Sequence, residues 1–94
     1  MQRSKLASYV GFAVKSGSVI FGEEAIRKHA RRCKVVLLTE GASEKFAARV
    51  RQHAEGICEV FILDDLSALV HRDNVKAIGI TDPSLAAAMT YLLR

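Results

Sequence analysis

Within eight residues, Arg27, Lys28, Arg31, Arg32 and Lys34 bring five cations together, shortly after Glu23 and Glu24. Cations at that density can hold the phosphates of a polyanion. A carboxylate beside them can accept from the N1–H and N2–H groups along a guanine edge. The two residue types would then divide the work, the cations holding a backbone and the acid reading a base. A plainer account treats the segment as a solvated helix face. Acids in a first turn and cations in a last turn both suit the helix dipole, and pairs at i,i+4 add a little stability. That account explains the glutamates well and the crowding of the cations poorly.

Other chemistry finds little support. Gly17 and Gly22 are spaced like the start of a phosphate-binding loop, but Glu23 and Glu24 stand where lysine and a hydroxyl residue are needed, and would repel a triphosphate. His29, His53 and His71 form no spaced pair for a metal and read as solvated surface residues. No serine or cysteine sits in a nucleophile-elbow pattern, and Asp64-Asp65 reads as a helix opening rather than a catalytic pair. We expect no enzyme, no cofactor, no metal and no small-molecule substrate.

Periodicity gives the elements that must position the basic segment. Ser4 is a candidate cap for a helix to about Lys15, with Leu6, Val10, Ala13 and Val14 on one side and Ser16-Gly17 ending it. Residues 18–21 suit a short strand. A helix from Gly22 to about Arg32 follows, with Ala25, Ile26 and Ala30 on one face. Residues 34–39 are a β-branched apolar run, the pattern of a central strand covered on both sides. Ser43 caps the next helix, which has Phe46, Ala47, Val50 and Ala54 inward and Lys45, Arg49 and Arg51 toward water, and Gly56 stops it. A strand over 58–63, a short helix over 64–70, a polar loop over 71–74 and a strand over 75–81 come next. Asp82 as N-cap and Pro83 at the first helical position open the last helix. Strands alternating with helices predict a single domain over residues 1–94. Its class is α/β: a three-layer α/β/α sandwich around a mixed, mostly parallel sheet of about four strands.

The length allows one hydrophobic core, and a chain that is 50% hydrophobic is not disordered. No apolar run is long enough to span a membrane, and the first residues lack the apolar stretch of a signal peptide. Cys33 and Cys58 have no metal-ligand spacing, so reduced thiols and a cytoplasmic location are expected. Charge is polarised. Residues 1–34 hold eight cations against two acids, and residues 35–94 hold six against eight, giving +6 and −2. A domain with one positive face should attract a polyanion, nucleic acid before anionic membrane, because no helix pairs its cations with a large apolar face. The competing reading is a protein-interaction module whose basic face docks an acidic partner. A monomer is expected in either case.

Three stretches carry a resemblance: residues 11–24 (GFAVKSGSVIFGEE), 34–43 (KVVLLTEGAS) and 73–82 (DNVKAIGITD), the last leading into an alanine-rich helix. In order and spacing they resemble the kink-turn-binding ribosomal protein family, the large-subunit "seven-Ae and thirty-e" group, in its short bacterial form. The resemblance covers nearly the whole chain and implies an α/β/α sandwich. It also implies a ribonucleoprotein role in translation, with structured RNA, ribosomal or kink-turn, as partner. That family contacts RNA through a Gly-x-Asn-Glu-type segment opening the second helix, then a lysine and a later basic residue. Gly22 matches the glycine, Glu24 takes the asparagine position, Lys28 matches the lysine, and Arg32 matches the later cation. A second family contact, the loop before the last strand, falls on residues 71–74, where Arg72 is the candidate. Two positions differ from the family pattern. Glu24 can accept but not donate, and Ala25 stands where a polar residue is usual. The RNA-binding set expected from residues and resemblance together is Gly22, Glu23, Glu24, Arg27, Lys28, Arg31, Arg32 and Arg72.

Overall fold

The computed structural model describes residues 3–94, with the Arg3 side chain outside the description. Its elements in chain order are α1 (Arg3–Lys15), β1 (Val19–Phe21), α2 (Glu23–Lys28), β2 (Val35–Thr39), α3 (Glu44–Ala54), β3 (Glu59–Leu63), α4 (Leu66–Val70), β4 (Ala77–Ile80) and α5 (Pro83–Leu93). A short 3-10 turn, Ala30–Arg32, follows α2.

The four strands form one sheet in the order β1-β4-β2-β3. The apolar run of β2 lies inside it, and its first four residues are buried. On one face, Leu6 and Val10 of α1, Leu66 and Leu69 of α4 and Met89 of α5 pack over Val35, Leu37, Ile78 and Ile80. On the other face, Ile26 of α2 and Val50 and Ala54 of α3 pack over Ile20, Val36, Leu38 and Ala77. Alternate residues of β2 therefore serve opposite cores, as a strand covered on both sides requires. The result is the α/β/α sandwich.

The sheet is mostly antiparallel, not mostly parallel. Only β2 and β3 pair in parallel; β4 runs antiparallel to both β1 and β2. After β3 the chain passes through the five-residue α4 and the 71–76 loop and enters the sheet again as β4, running opposite to β2 and inserted between β1 and β2.

Local capping follows the sequence. Ser43 Oγ accepts from the Phe46 amide at 3.1 Å, and Asp65 Oδ1 from the Ala68 amide at 3.2 Å. Asp82 Oδ1 accepts from the amides of Ser84 and Leu85 at 2.8 and 3.0 Å. Ser4 does not cap α1; it lies inside the helix, and its carbonyl accepts from Ser8 Oγ.

The helix expected from Gly22 to about Arg32 is broken at His29. The six residues of α2 give way to the tighter 3-10 turn, in which the amides of Arg32 and Cys33 donate to the carbonyls of His29 and Ala30. This turn tucks Cys33 against Gly79 of β4. A Cβ on Gly79 would lie 2.5 Å from Cys33 Sγ and 3.7 Å from Cγ1 of Ile26. Glycine in the strand is the condition for α2 and its turn to sit this close to the sheet.

Candidate nucleic-acid interface

Gly22 joins β1 to α2 at φ 88°, ψ 159°, a region that is essentially glycine-only. Its amide donates to the carbonyl of Ala77 at 3.0 Å, so β4 fixes the place where α2 begins. Space around the missing Cβ is open. Only conformation demands glycine, and the open space leaves the backbone accessible.

The two glutamates at the helix opening have different surroundings. Glu23 turns toward α3, where its Oε2 accepts from Arg49 Nε at 2.9 Å and from His53 Nε2 at 3.2 Å. The Arg49 bond, then the His53 bond, hold its carboxyl below the ordinary range, and the same pairing raises the Arg49 guanidinium. Glu23 is thus the strut between the two helices on this face. Glu24 points outward, 69% exposed, and pairs with Arg27 one turn on, which also lowers its carboxyl. Six residues make a short dipole. Attraction for an anion here falls to the side chains rather than to the helix opening.

Those side chains line up along the outer edge of α2 and its following turn. Lys28, Arg31 and Arg32 are exposed, and among the described residues none has an ion-pair partner. With Arg27 and Ile57 they line a shallow depression of about 380 Å³.

Arg72 comes from far along the chain to Phe21, the residue before Gly22. It belongs to the loop after α4, bounded by left-handed residues His71 (φ 56°) and Asn74 (φ 59°). Its guanidinium carbon lies 4.0 Å from the centroid of the Phe21 ring, a close cation–π contact. Phe21 is half-buried, packed against the α1 core on one side and covered by Arg72. Because Phe21 precedes Gly22, Arg72 stands beside the opening of α2.

Two further cations gather nearby that sequence reasoning left out. Lys76 Nζ and the Arg49 guanidinium lie 5.9 and 5.7 Å from the centroid of Phe46. Lys76 directly precedes Ala77, the acceptor of the Gly22 amide. Its place beside α2 follows from the β1–β4 pairing, which no local signal announces. Arg49 and His53, read from spacing as solvated, are engaged by Glu23. His29 and His71 are exposed. Cys33 and Cys58 are free thiols; burial raises both, Cys58 to about 11 with Cys33 contributing. Among the described residues no group of three or more His, Cys, Asp or Glu could hold a metal ion. No helix there is long and apolar enough to cross a membrane.

No protein-family model and no curated protein matches this sequence. The chain is similar in structure to a solved protein of unknown function from Bacillus halodurans. That likeness has a TM-score of 0.86 at 18% identity over 95% of this chain and 96% of the other. At that identity the likeness establishes the fold alone.

Proposed function

We propose that this protein is a non-catalytic RNA-binding protein, ribosomal or ribosome-associated, that recognises a kink-turn or similarly structured RNA through the opening of α2. The observation that carries this reading is the convergence at Phe21. The Arg72 loop meets Phe21 just before the opening of α2, and further along α2 and its turn lie Lys28, Arg31 and Arg32, exposed and without ion-pair partners among the described residues. The resemblance to kink-turn-binding ribosomal proteins, which places contacts at these same two segments, supports it.

Lys28, Arg31 and Arg32 hold phosphates, and Gly22 lets a backbone approach closely. Glu24 accepts from a guanine edge where a bulge or sheared pair exposes one, and Arg27 orients it. Arg72 touches a neighbouring nucleotide. Glu23 acts at one remove, as a positioning residue that holds α2 against α3.

Fluorescence anisotropy of a labelled kink-turn RNA at several salt concentrations tests this division. Lys28→Ala should weaken binding roughly tenfold for every RNA that binds and reduce the salt slope by about 1. Glu24→Gln should change which RNA is preferred while the salt slope stays nearly constant. Equal losses for both variants on all RNAs would remove the assigned roles.

A further inference from the structure

Beyond the basic row the surface continues around the end of the sheet. Ile57, which closes the depression beside Arg27, also lines a second one of about 420 Å³ with Lys34, Cys58, Glu59 and Thr90. Lys34 and Thr90 in turn line a third, of about 750 Å³, with Ala87, Tyr91 and Arg94 on the outer face of α5. The three depressions share walls and lead from the α2 layer to the α5 layer.

The far end of this track has the parts of a stacking site. Tyr91 is 84% exposed, the most exposed large apolar side chain of the described residues. It cannot be explained by packing, since α5 sends Ala86 and Met89 to the core from its other side. Ala87, one turn before it, leaves the space beside the ring open. Lys34 lies across the same depression, exposed and with no ion-pair partner among the described residues. Arg94 completes the wall, its guanidinium held by Glu59. An open aromatic ring with a free cation opposite is the arrangement that binds a single-stranded nucleotide, the ring taking the base and the cation the phosphate.

We propose that Tyr91 and Lys34 form a second RNA subsite, for an unpaired nucleotide in a single-stranded extension of the structured RNA bound at α2. The inference rests on the RNA-binding reading above. An extension leaving the α2 interface follows the cations past Ile57 to reach Tyr91. Glu59 borders the path, and its charge is neutralised by Arg94.

The test titrates the full chain with two probes, a kink-turn RNA and the same RNA carrying a single-stranded oligouridine tail on either end. Wild-type protein should bind one tailed form roughly tenfold more tightly than the untailed form. Tyr91→Ala should erase that gain and leave untailed binding unchanged, while Tyr91→Phe keeps it. Lys34→Ala should reduce the gain, and Lys28→Ala should weaken both forms. Because Tyr91 is exposed, unchanged thermal unfolding of Tyr91→Ala is expected and serves as the folding control. If wild type binds tailed and untailed RNA alike, or if Tyr91→Ala keeps the full gain, the subsite is wrong and the α2 interface stands. If wild type binds neither RNA, both proposals fall.

Discussion

Two helical segments cover the same face of the sheet, and both are rich in cations, yet they use them differently. In α3, eleven residues with a serine cap, Arg49 is taken up by Glu23 and lies near Phe46, and Val50 and Ala54 anchor the helix to the sheet. In α2 and its turn, the chain has no side-chain cap, breaks after six residues, and leaves Lys28, Arg31 and Arg32 exposed and unpaired among the described residues. The contrast separates Arg49, which braces the domain, from the cations of α2 and its turn, which face outward. Charge density alone does not make that distinction. What each cation meets does.

The strongest way to break this comparison is to reverse charge on each segment in turn. On the proposed function, Arg31→Glu with Arg32→Glu should lower RNA affinity by about 100-fold or more, as the proposed phosphate contacts become repulsions. Lys45→Glu with Arg51→Glu, two exposed cations of α3 outside the row along α2, changes the net charge equally and should cost several-fold less. Equal losses would mean that the whole basic face acts as a diffuse field, and the contrast between the helices would disappear. Unfolding curves of the two double variants should match, since all four side chains are exposed.

A second prediction concerns how closely α2 is held to the sheet. Gly79→Ala places a methyl group 2.5 Å from Cys33 Sγ, in a site where Cys33 is only 2% exposed. A destabilisation of about 1–3 kcal/mol is expected in denaturant titration. Removing the thiol as well, in Cys33→Ala with Gly79→Ala, should recover part of it. If the single variant is as stable as wild type, the tight packing of the turn after α2 is wrong.

The smallest effect tests the strut between the two helices. Glu23 has a carboxyl held below its ordinary value. The stability it contributes is therefore complete above the unfolded carboxylate range of about 4.3, and is lost as pH falls through its lower folded value. In Glu23→Gln that contribution is missing. Melting temperatures followed from pH 7 to 3 should fall less steeply below about pH 4.3 than in wild type. Some slope should persist, because Glu24 is lowered as well through Arg27. Identical profiles for variant and wild type would remove Glu23 as the link.

Much of the fold could be read from local signals. The β-branched run of β2, the Ser43 cap and the Asp82-Pro83 helix opening each depend on neighbours in sequence, and each stands where expected. The direction of β4 is set by its insertion between β1 and β2, a tertiary pairing that alternation of strands and helices does not reveal. The break at His29 goes with a distant contact too, the fit of Cys33 against Gly79. At the candidate interface, Arg27, Lys28, Arg31 and Arg32 were visible as a cluster because they lie close together in sequence. Lys76 was not, because only the pairing of β1 with β4 brings it near Gly22. Glu23 and Glu24 read alike on paper. Their separate surroundings come from the position of α3, which presents Arg49 and His53 to one and not to the other.

The most direct measurement is a gel-shift titration at moderate salt with a kink-turn RNA and the same RNA with its G·A pairs replaced. Tight binding to the first and at least tenfold weaker binding to the second, a difference altered by Glu24→Gln, is the expected result. Equal, weak binding to both, unaltered in Glu24→Gln, would contradict recognition of a structured RNA through the opening of α2.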